Sequence, residues 1–171
     1  MMVKRILLVV VALLVAVPAG LYAWTRIAPH QIRTEIEIDA SPERVWRVLT
    51  DFGAYPQWNP FIVSAVGEAR VGAVLTNRLS DQGSITTFTP TVLAATPGRE
   101  LRWIGRFGVP GIVDGEHYFR IEDLGGGRSR LTQGETFTGA LVPLAGGALD
   151  VADNFAAMNT ALKARAEKMP G

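Results

Sequence analysis

Residues 113–137 read VDGEHYFRIEDLGGGRSRLTQGETF, two alternating runs joined by three glycines. In the first run Val113, Gly115, His117, Phe119 and Ile121 share one face of an extended chain, and Asp114, Glu116, Tyr118, Arg120 and Glu122 share the other. The charged face belongs to water, so His117 points inward with its apolar neighbours. In the second run Leu131, Gln133, Glu135 and Phe137 fall on one face, and the apolar members mark it as inward too. A hairpin turning about Gly125 and Gly126 sets Ile121 opposite Leu131, Phe119 opposite Gln133 and His117 opposite Glu135. Directly opposed residues have Cβ atoms about 4.5–5.5 Å apart, within reach of a histidine–carboxylate hydrogen bond.

Upstream, Ile32, Thr34, Ile36 and Ile38 alternate with Arg33, Glu35, Glu37 and Asp39, which predicts a first strand with one wet face. Ser41-Pro42-Glu43 is a helix start, with a capping hydroxyl, a proline at the first turn and an acid near the positive end of the helix dipole. A short helix over Pro42–Thr50 buries Val45, Trp46 and Leu49. The prolines after Tyr55 and Asn59 leave at most a short turn beyond Asp51. From Phe61 to Thr138 strands follow one another, with turn signals at Gly67–Gly72, Ser80–Ser84, Pro97-Gly98, Val109–Gly111 and Gly125–Gly127. Val151, Phe155, Met158, Leu162 and Met169 then recur at helical spacing, an amphipathic helix of about five turns. Strand, small helical insertion, antiparallel meander and closing helix make an α+β fold. A curved sheet against one long helix leaves room for an interior cavity.

The amino-terminal region is of another kind. Ile6 to Trp24 contains no charged residue, and its only members outside the apolar set are Pro18 and Gly20. As a helix this run spans about 28 Å, close to a bilayer's ~30 Å hydrocarbon core. Lys4 and Arg5 precede it, Arg26 follows, and Tyr22 and Trp24 stand near its far end. Two readings lead, with a buried core helix as a third: an uncleaved single-pass membrane anchor over residues 1–26, and a signal segment cleaved near Val17-Pro18-Ala19 and releasing a secreted or periplasmic domain. Both put residues 27–171, one domain, outside the cytoplasm.

Charge and composition narrow the chemistry. The chain of 171 residues has 17 basic and 16 acidic side chains, a net charge of +1, and no cysteine. That balance gives no electrostatic footprint for nucleic acid, and the missing cysteines exclude thiolate nucleophiles, iron–sulfur clusters and thiolate zinc sites. The two histidines, His30 and His117, have no metal-ligand spacing. The triple glycine lacks the lysine of a phosphate loop, and no serine occupies a nucleophile elbow. No metal or cofactor is expected. Arg99, Arg102 and Arg106 read as a solvated face.

Several strings resemble the SRPBCC, or START-like, superfamily, in particular its polyketide cyclase/dehydrase branch: IDASPERVW at 38–46, DFGAYPQWNPF at 51–61, GEHYF at 115–119 and FAAMNTALK at 155–163. The resemblance spans about residues 32–168. It implies a helix-grip fold, in which a curved antiparallel sheet wraps around the carboxy-terminal helix and a hydrophobic ligand pocket. It also implies that Trp58 and Asn59 help to cover the pocket entrance.

The candidate site therefore comprises His117, Glu135, Gln133, Phe119 and Phe137 on the hairpin, and Phe155 and Met158 on the closing helix. Trp58, Asn59, Phe61, Phe88 and Trp103 join them from strand or loop ends, although aromatic side chains fill ordinary cores as well. The His117–Glu135 pair fits three roles: a satisfied polar pair lining a pocket, a ligand-orienting pair, or a general acid/base couple. The expected function is a membrane-tethered extracytoplasmic binding or carrier domain for a hydrophobic small molecule or lipid. The alternative is a cyclase, dehydratase or hydrolase that uses His117 and Glu135, and a purely structural or interaction role is a third reading.

Overall fold

The computed structural model describes residues 2–81 and 83–169. Position 82, inside the expected Ser80–Ser84 turn, residue 1 of the amino-terminal segment and residues 170–171 at the domain end lie outside the described residues. In chain order the elements are α1 (Met2–Ile27), β1 (His30–Ile38), α2 (Pro42–Thr50), a 3-10 helix (Phe52–Gln57), β2 (Ile62–Val66), β3 (Thr76–Asp81), β4 (Ser84–Phe88), β5 (Thr91–Thr96), β6 (Glu100–Phe107), β7 (Val113–Gly125), β8 (Arg128–Thr138), two short 3-10 turns (Val142–Leu144, Gly146–Leu149) and α3 (Ala152–Lys168). All strand pairs are antiparallel. The fold is the expected helix grip.

The β7–β8 register is the one required by the sequence: Ile121 faces Leu131, Phe119 faces Gln133 and His117 faces Glu135. Around this hairpin the main sheet runs β1-β8-β7-β6-β5. The strands do not form one continuous sheet, because β2-β3-β4 make a separate three-stranded sheet. The break falls at Thr89-Pro90, between β4 and β5, a step absent from the expected turns. Pro90 has no N–H to give a ladder, but its carbonyl accepts from Leu75 N at 2.9 Å. A bond from Val92 N to Ala73 O and one from Gly72 N to Val92 O, both 2.9 Å, complete the stitch. Bulges at Val92–Ala94 and Ile62–Ser64 bend the strands that flank the junction.

α2 occupies its expected span but buries Val45, Val48 and Leu49, leaving Trp46 half-buried. Residues 45, 48 and 49 follow the helical repeat, which puts Trp46 on the flank of the stripe. Beyond it, Tyr55 is fully buried, and its hydroxyl donates to Leu49 O at 2.7 Å across the end of α2. Burial holds the phenol well above its ordinary pKa, so it stays a neutral donor. α3 buries Phe155, Met158, Asn159, Leu162 and Ala166 toward the sheet, while the expected face residues Val151 and Met169 stand just outside its two ends. At its far end Glu167 accepts from Lys163 Nζ at 2.6 Å and from Asp39 N at 2.9 Å, tying α3 to the end of β1.

Two outcomes test these contacts. Tyr55→Phe leaves the Leu49 carbonyl without its buried donor and costs about 1–2 kcal/mol, read as a fall of a few degrees in the thermal midpoint of the detergent-solubilised protein. The Lys163 and Asp39 hydrogen bonds hold the Glu167 carboxyl below the usual carboxylate range. Its stabilising contribution is therefore complete above that range and disappears as pH falls through the lowered folded value. Glu167→Gln flattens this part of the acid limb in a thermal midpoint series against pH.

Candidate functional site

The hairpin delivers three polar side chains to the interior of an apolar sheet. His117, only 4% exposed, stacks on Trp103 with ring centroids 4.9 Å apart and planes within 16°. Phe119 and Phe155 approach the same imidazole at 4.8 Å, the latter edge-on from α3. The ring is thus enclosed on three sides by aromatic carbon. Its two nitrogens are met by side chains of β8: Nδ1 lies 3.3 Å from Glu135 Oε2, and Nε2 lies 3.2 Å from Gln133 Nε2.

The tautomer follows from this arrangement. The Gln133 amide nitrogen reaches both His117 Nε2 and, at 3.6 Å, the Met158 sulfur, two acceptors that suit an NH2 group. His117 Nε2 therefore accepts, Nδ1 carries the proton, and Nδ1–H donates to Glu135. A directed chain runs from Gln133 through His117 to Glu135. Its inner end is incomplete, because Gln133 Oε1 is buried without a hydrogen-bond partner among the described residues. A desolvated carbonyl without a donor costs about 1–3 kcal/mol, which a ligand hydroxyl or N–H would recover.

Gly115 makes room for the outer end. A Cβ at this position would collide with Glu135 Oε1 and lie 3.1 Å from the Phe137 ring. A glycine inside a strand marks such a close approach. With it, Glu135 leans over the strand toward His117 and keeps partial access to solvent, 18% of its side chain against 5% for His117.

The structure gathers most of the expected residues. Trp103, His117, Phe119, Gln133, Glu135, Phe155 and Met158 form one cluster, Phe61 joins through Phe155 at 5.8 Å, and Phe137 borders Glu135 beside His30. Trp58 and Asn59 have other contacts. Trp58 packs edge-on to Tyr55 at 5.0 Å, and Asn59 Oδ1 accepts from Phe61 N and Ile62 N at 3.0 and 2.9 Å, holding the entry to β2. Phe88 is half-buried on β4, opposite Asn77. That pairing exposes a residue the sequence reading missed: Asn77 is buried and its Oδ1 has no partner among the described residues. Asn159 is another, buried on α3 with Nδ2 donating to Thr34 Oγ1 at 2.9 Å and Oδ1 without a partner among the described residues. An asparagine on a helix stripe otherwise made of Phe155, Met158 and Leu162 is the signal that would have found it.

Where a cavity was expected, the centre of the grip holds side chains. Trp103, His117, Phe119 and Phe155 are long enough to meet across the gap between sheet and helix. A hollow of about 540 Å3 at the end of the sheet away from α1 is open to solvent and lined by Pro42, Glu43, Arg99, Arg120 and Asp123. The arginines of β6 lie on the outer face as expected, and Arg102 is paired there with Glu116 at 2.8 Å.

Comparison with known proteins agrees with the architecture. The family model described as polyketide cyclase/dehydrase and lipid transport matches residues 29–167. No curated protein sequence matches significantly. Among solved structures, the ZhuI aromatase/cyclase from Streptomyces sp. R1128 superposes with a TM-score of 0.68 at 20% identity, covering 82% of this chain and 94% of that one. A START superfamily protein from Mycobacterium smegmatis gives 0.63 at 24% identity, covering 82% and 99%. Norcoclaurine synthase from Thalictrum flavum, in complex with dopamine and hydroxybenzaldehyde, gives 0.63 at 13% identity, covering 84% and 89%. At these identities the likeness is one of fold.

The role of Gly115 yields a specific outcome. Gly115→Ala displaces the end of a flexible carboxylate more readily than backbone, so the domain keeps its fold while Glu135 leaves His117. The 15N resonance of His117 Nδ1 then shifts in the direction produced by Glu135→Gln, with the circular dichroism spectrum unchanged.

Proposed function

Because the chain belongs to the polyketide cyclase/dehydrase and lipid transport family, we propose that it is a membrane-tethered, extracytoplasmic binding or carrier domain for an amphipathic small molecule or lipid. The observation that carries this reading is the polar chain Gln133–His117–Glu135 buried among Trp103, Phe119, Phe155 and Met158. Apolar walls supply affinity by area, and a few convergent polar groups orient what is bound. The unpartnered Gln133 Oε1 asks for a donor, so the favoured ligand is mainly hydrocarbon or aromatic with at least one hydroxyl or N–H.

Binding requires space that the rings now fill. Phe155 is the side chain positioned to yield it, since it comes from the first turns of α3 whereas Trp103 and Phe119 stand within the main sheet. α3 follows two short 3-10 turns that include Gly146 and Gly147, and Val151 at its N-cap position makes no side-chain hydrogen bond. Its first turn is held by exposed contacts, Ala152 N to Asp150 Oδ1 at 3.3 Å and Asn154 Nδ2 to Asp81 Oδ1 at 3.0 Å, which solvent can replace.

The tether rests on α1, 26 residues long with a mean hydropathy of 2.7 in its most apolar window. Lys4 and Arg5 favour retention of its amino-terminal end in the cytoplasm. An uncleaved span keeps the domain beside a bilayer, a reservoir of amphipathic molecules.

A second reading, an enzyme acting on such a molecule, has one observation in its favour. The 3.3 Å contact between Glu135 and His117 Nδ1 fixes the tautomer and leaves Nε2 basic once Gln133 turns away. Native mass spectrometry of the full chain released from mild detergent, followed by organic extraction, separates the readings. A carrier yields a discrete bound mass, recovered chemically unchanged, and Gln133→Leu reduces its occupancy several-fold. An enzyme converts the extracted molecule, and Glu135→Gln abolishes conversion while retaining the bound mass. Protein that is consistently free of ligand, in wild type and in Phe155→Ala alike, overturns both.

A further inference from the structure

α1 does not end in free solvent but is seated on the domain. Thr25, in its last turn, is 1% exposed, and its Oγ1 accepts from Gly139 N at 2.9 Å while donating to Tyr22 O at 2.9 Å. The Tyr22 ring lies against Gly111. The same two glycines belong to the loops that follow β6 and β8, and those loops are bonded to each other, Ala140 N to Gly111 O at 2.8 Å and Leu141 N to Ile112 O at 3.0 Å. Gly139, at φ +142°, permits this closeness, because a Cβ there would collide with the Ile112 carbonyl.

These joined loops are unusually apolar for a surface. Residues 107–113 read FGVPGIV and residues 139–149 read GALVPLAGGAL, with no charged side chain and no hydroxyl or amide side chain in either. Phe107, Val109 and Leu144 are 67%, 64% and 71% exposed, and Leu141 is exposed as well. The opposite end of the main sheet is different: its turns carry Arg99, Glu100, Asp123 and Arg128. Apolar loop tips are thus concentrated at the end where the apolar helix leaves the domain. Trp24 and Ile27, also exposed, continue the patch onto α1, and Arg26 and Arg106 stand at its charged border.

We propose that the 107–113 and 139–149 loops insert into the interfacial layer of the bilayer that α1 crosses, seating the domain directly on the membrane with its main sheet upright. The inference rests on the anchor reading of α1. If Ile6–Trp24 fills the hydrocarbon, Thr25 lies at its boundary, and the hydrogen bond to Gly139 puts both loops at the same depth. Exposed apolar side chains at that level replace water contact with lipid contact, and Arg26 reaches the phosphates, while Arg106 is paired with Asp114 at 3.7 Å. The seating also brings the loop that leads into α3 against the lipid, so the element nearest the His117 cluster faces the source of an amphipathic ligand.

The absence of cysteine allows a direct test with single-cysteine variants of the full chain. Val109→Cys, Leu144→Cys, Arg128→Cys and, within α1, Leu14→Cys are labelled with an environment-sensitive fluorophore. Each is reconstituted into phosphatidylcholine/phosphatidylglycerol vesicles with lipids brominated near the headgroup or near the chain ends. The expected result is a blue-shifted emission at 109 and 144, quenched several-fold more by shallow bromines than the label at 128, with position 14 quenched by the deep bromines. Labels at 109 and 144 that behave like the one at 128, while position 14 is quenched, overturn the seating and leave the tether standing. If position 14 is also unquenched or absent from the mature chain, both fail. Quenching at 109 and 144 without quenching at 14 supports loop insertion and overturns the anchor reading.

Discussion

The pairing of β7 with β8 is the constraint on which the rest depends. Because side chains alternate across a strand, a slip of β7 by one residue would turn His117 and Phe119 out to water and bring Glu116 and Arg120 into the core. Burying those charges without partners would cost far more than any single contact returns. The hydrophobic pattern therefore fixes the register, and the register fixes the chemistry: an imidazole and an amide become interior groups because Phe119, Ile121 and Leu131 must be.

This dependence explains what was legible in the chain. The hairpin partners, the span of α2 and the closing helix all follow from periodicity and from local signals such as Pro42 in the first turn of α2, which act over a few residues, although the Ser41 hydroxyl makes no capping bond. The division of the sheet at Thr89-Pro90 was not legible. Its stitch joins Gly72–Leu75 to Pro90–Val92, segments with no alternation to advertise a pairing. The filling of the interior was not legible for a related reason. A curved sheet and a helix suggest empty space, but whether it is empty depends on how far Trp103 and Phe155 reach across, and reach is a property of tertiary packing.

At the site the same distinction holds. Parity alone identified His117 and Glu135 as opposed inward residues, and their contact needs little beyond that. Gln133 has a role that parity could not supply: its contact with the Met158 sulfur orients the amide, and the amide in turn selects the histidine tautomer. Asn59 shows the converse. Its place in a family-like string suggested a ligand contact, whereas in the folded chain its carbonyl oxygen is used to order the backbone at the start of β2. Gly115 links the two levels, since a missing side chain in the inward row, conspicuous in the sequence, is what admits the Glu135 carboxylate.

The loop from Gly139 to Val151 ties the separate parts into one argument. It receives Thr25 at its start, presents Leu141 and Leu144 to the surface, and delivers the chain into α3 four residues before Phe155 closes over His117. Any force on this loop acts at both ends. On the proposed reading, lipid contact around Leu144 reaches Phe155 through the Gly146–Leu149 3-10 turn and the first turn of α3. A carrier that must open toward a bilayer and stay closed to water has a physical reason to put its apolar loops and its anchor together and to lead one of those loops into its gripping helix. In this chain α1 and both loops meet at Gly139, and the second loop continues into α3.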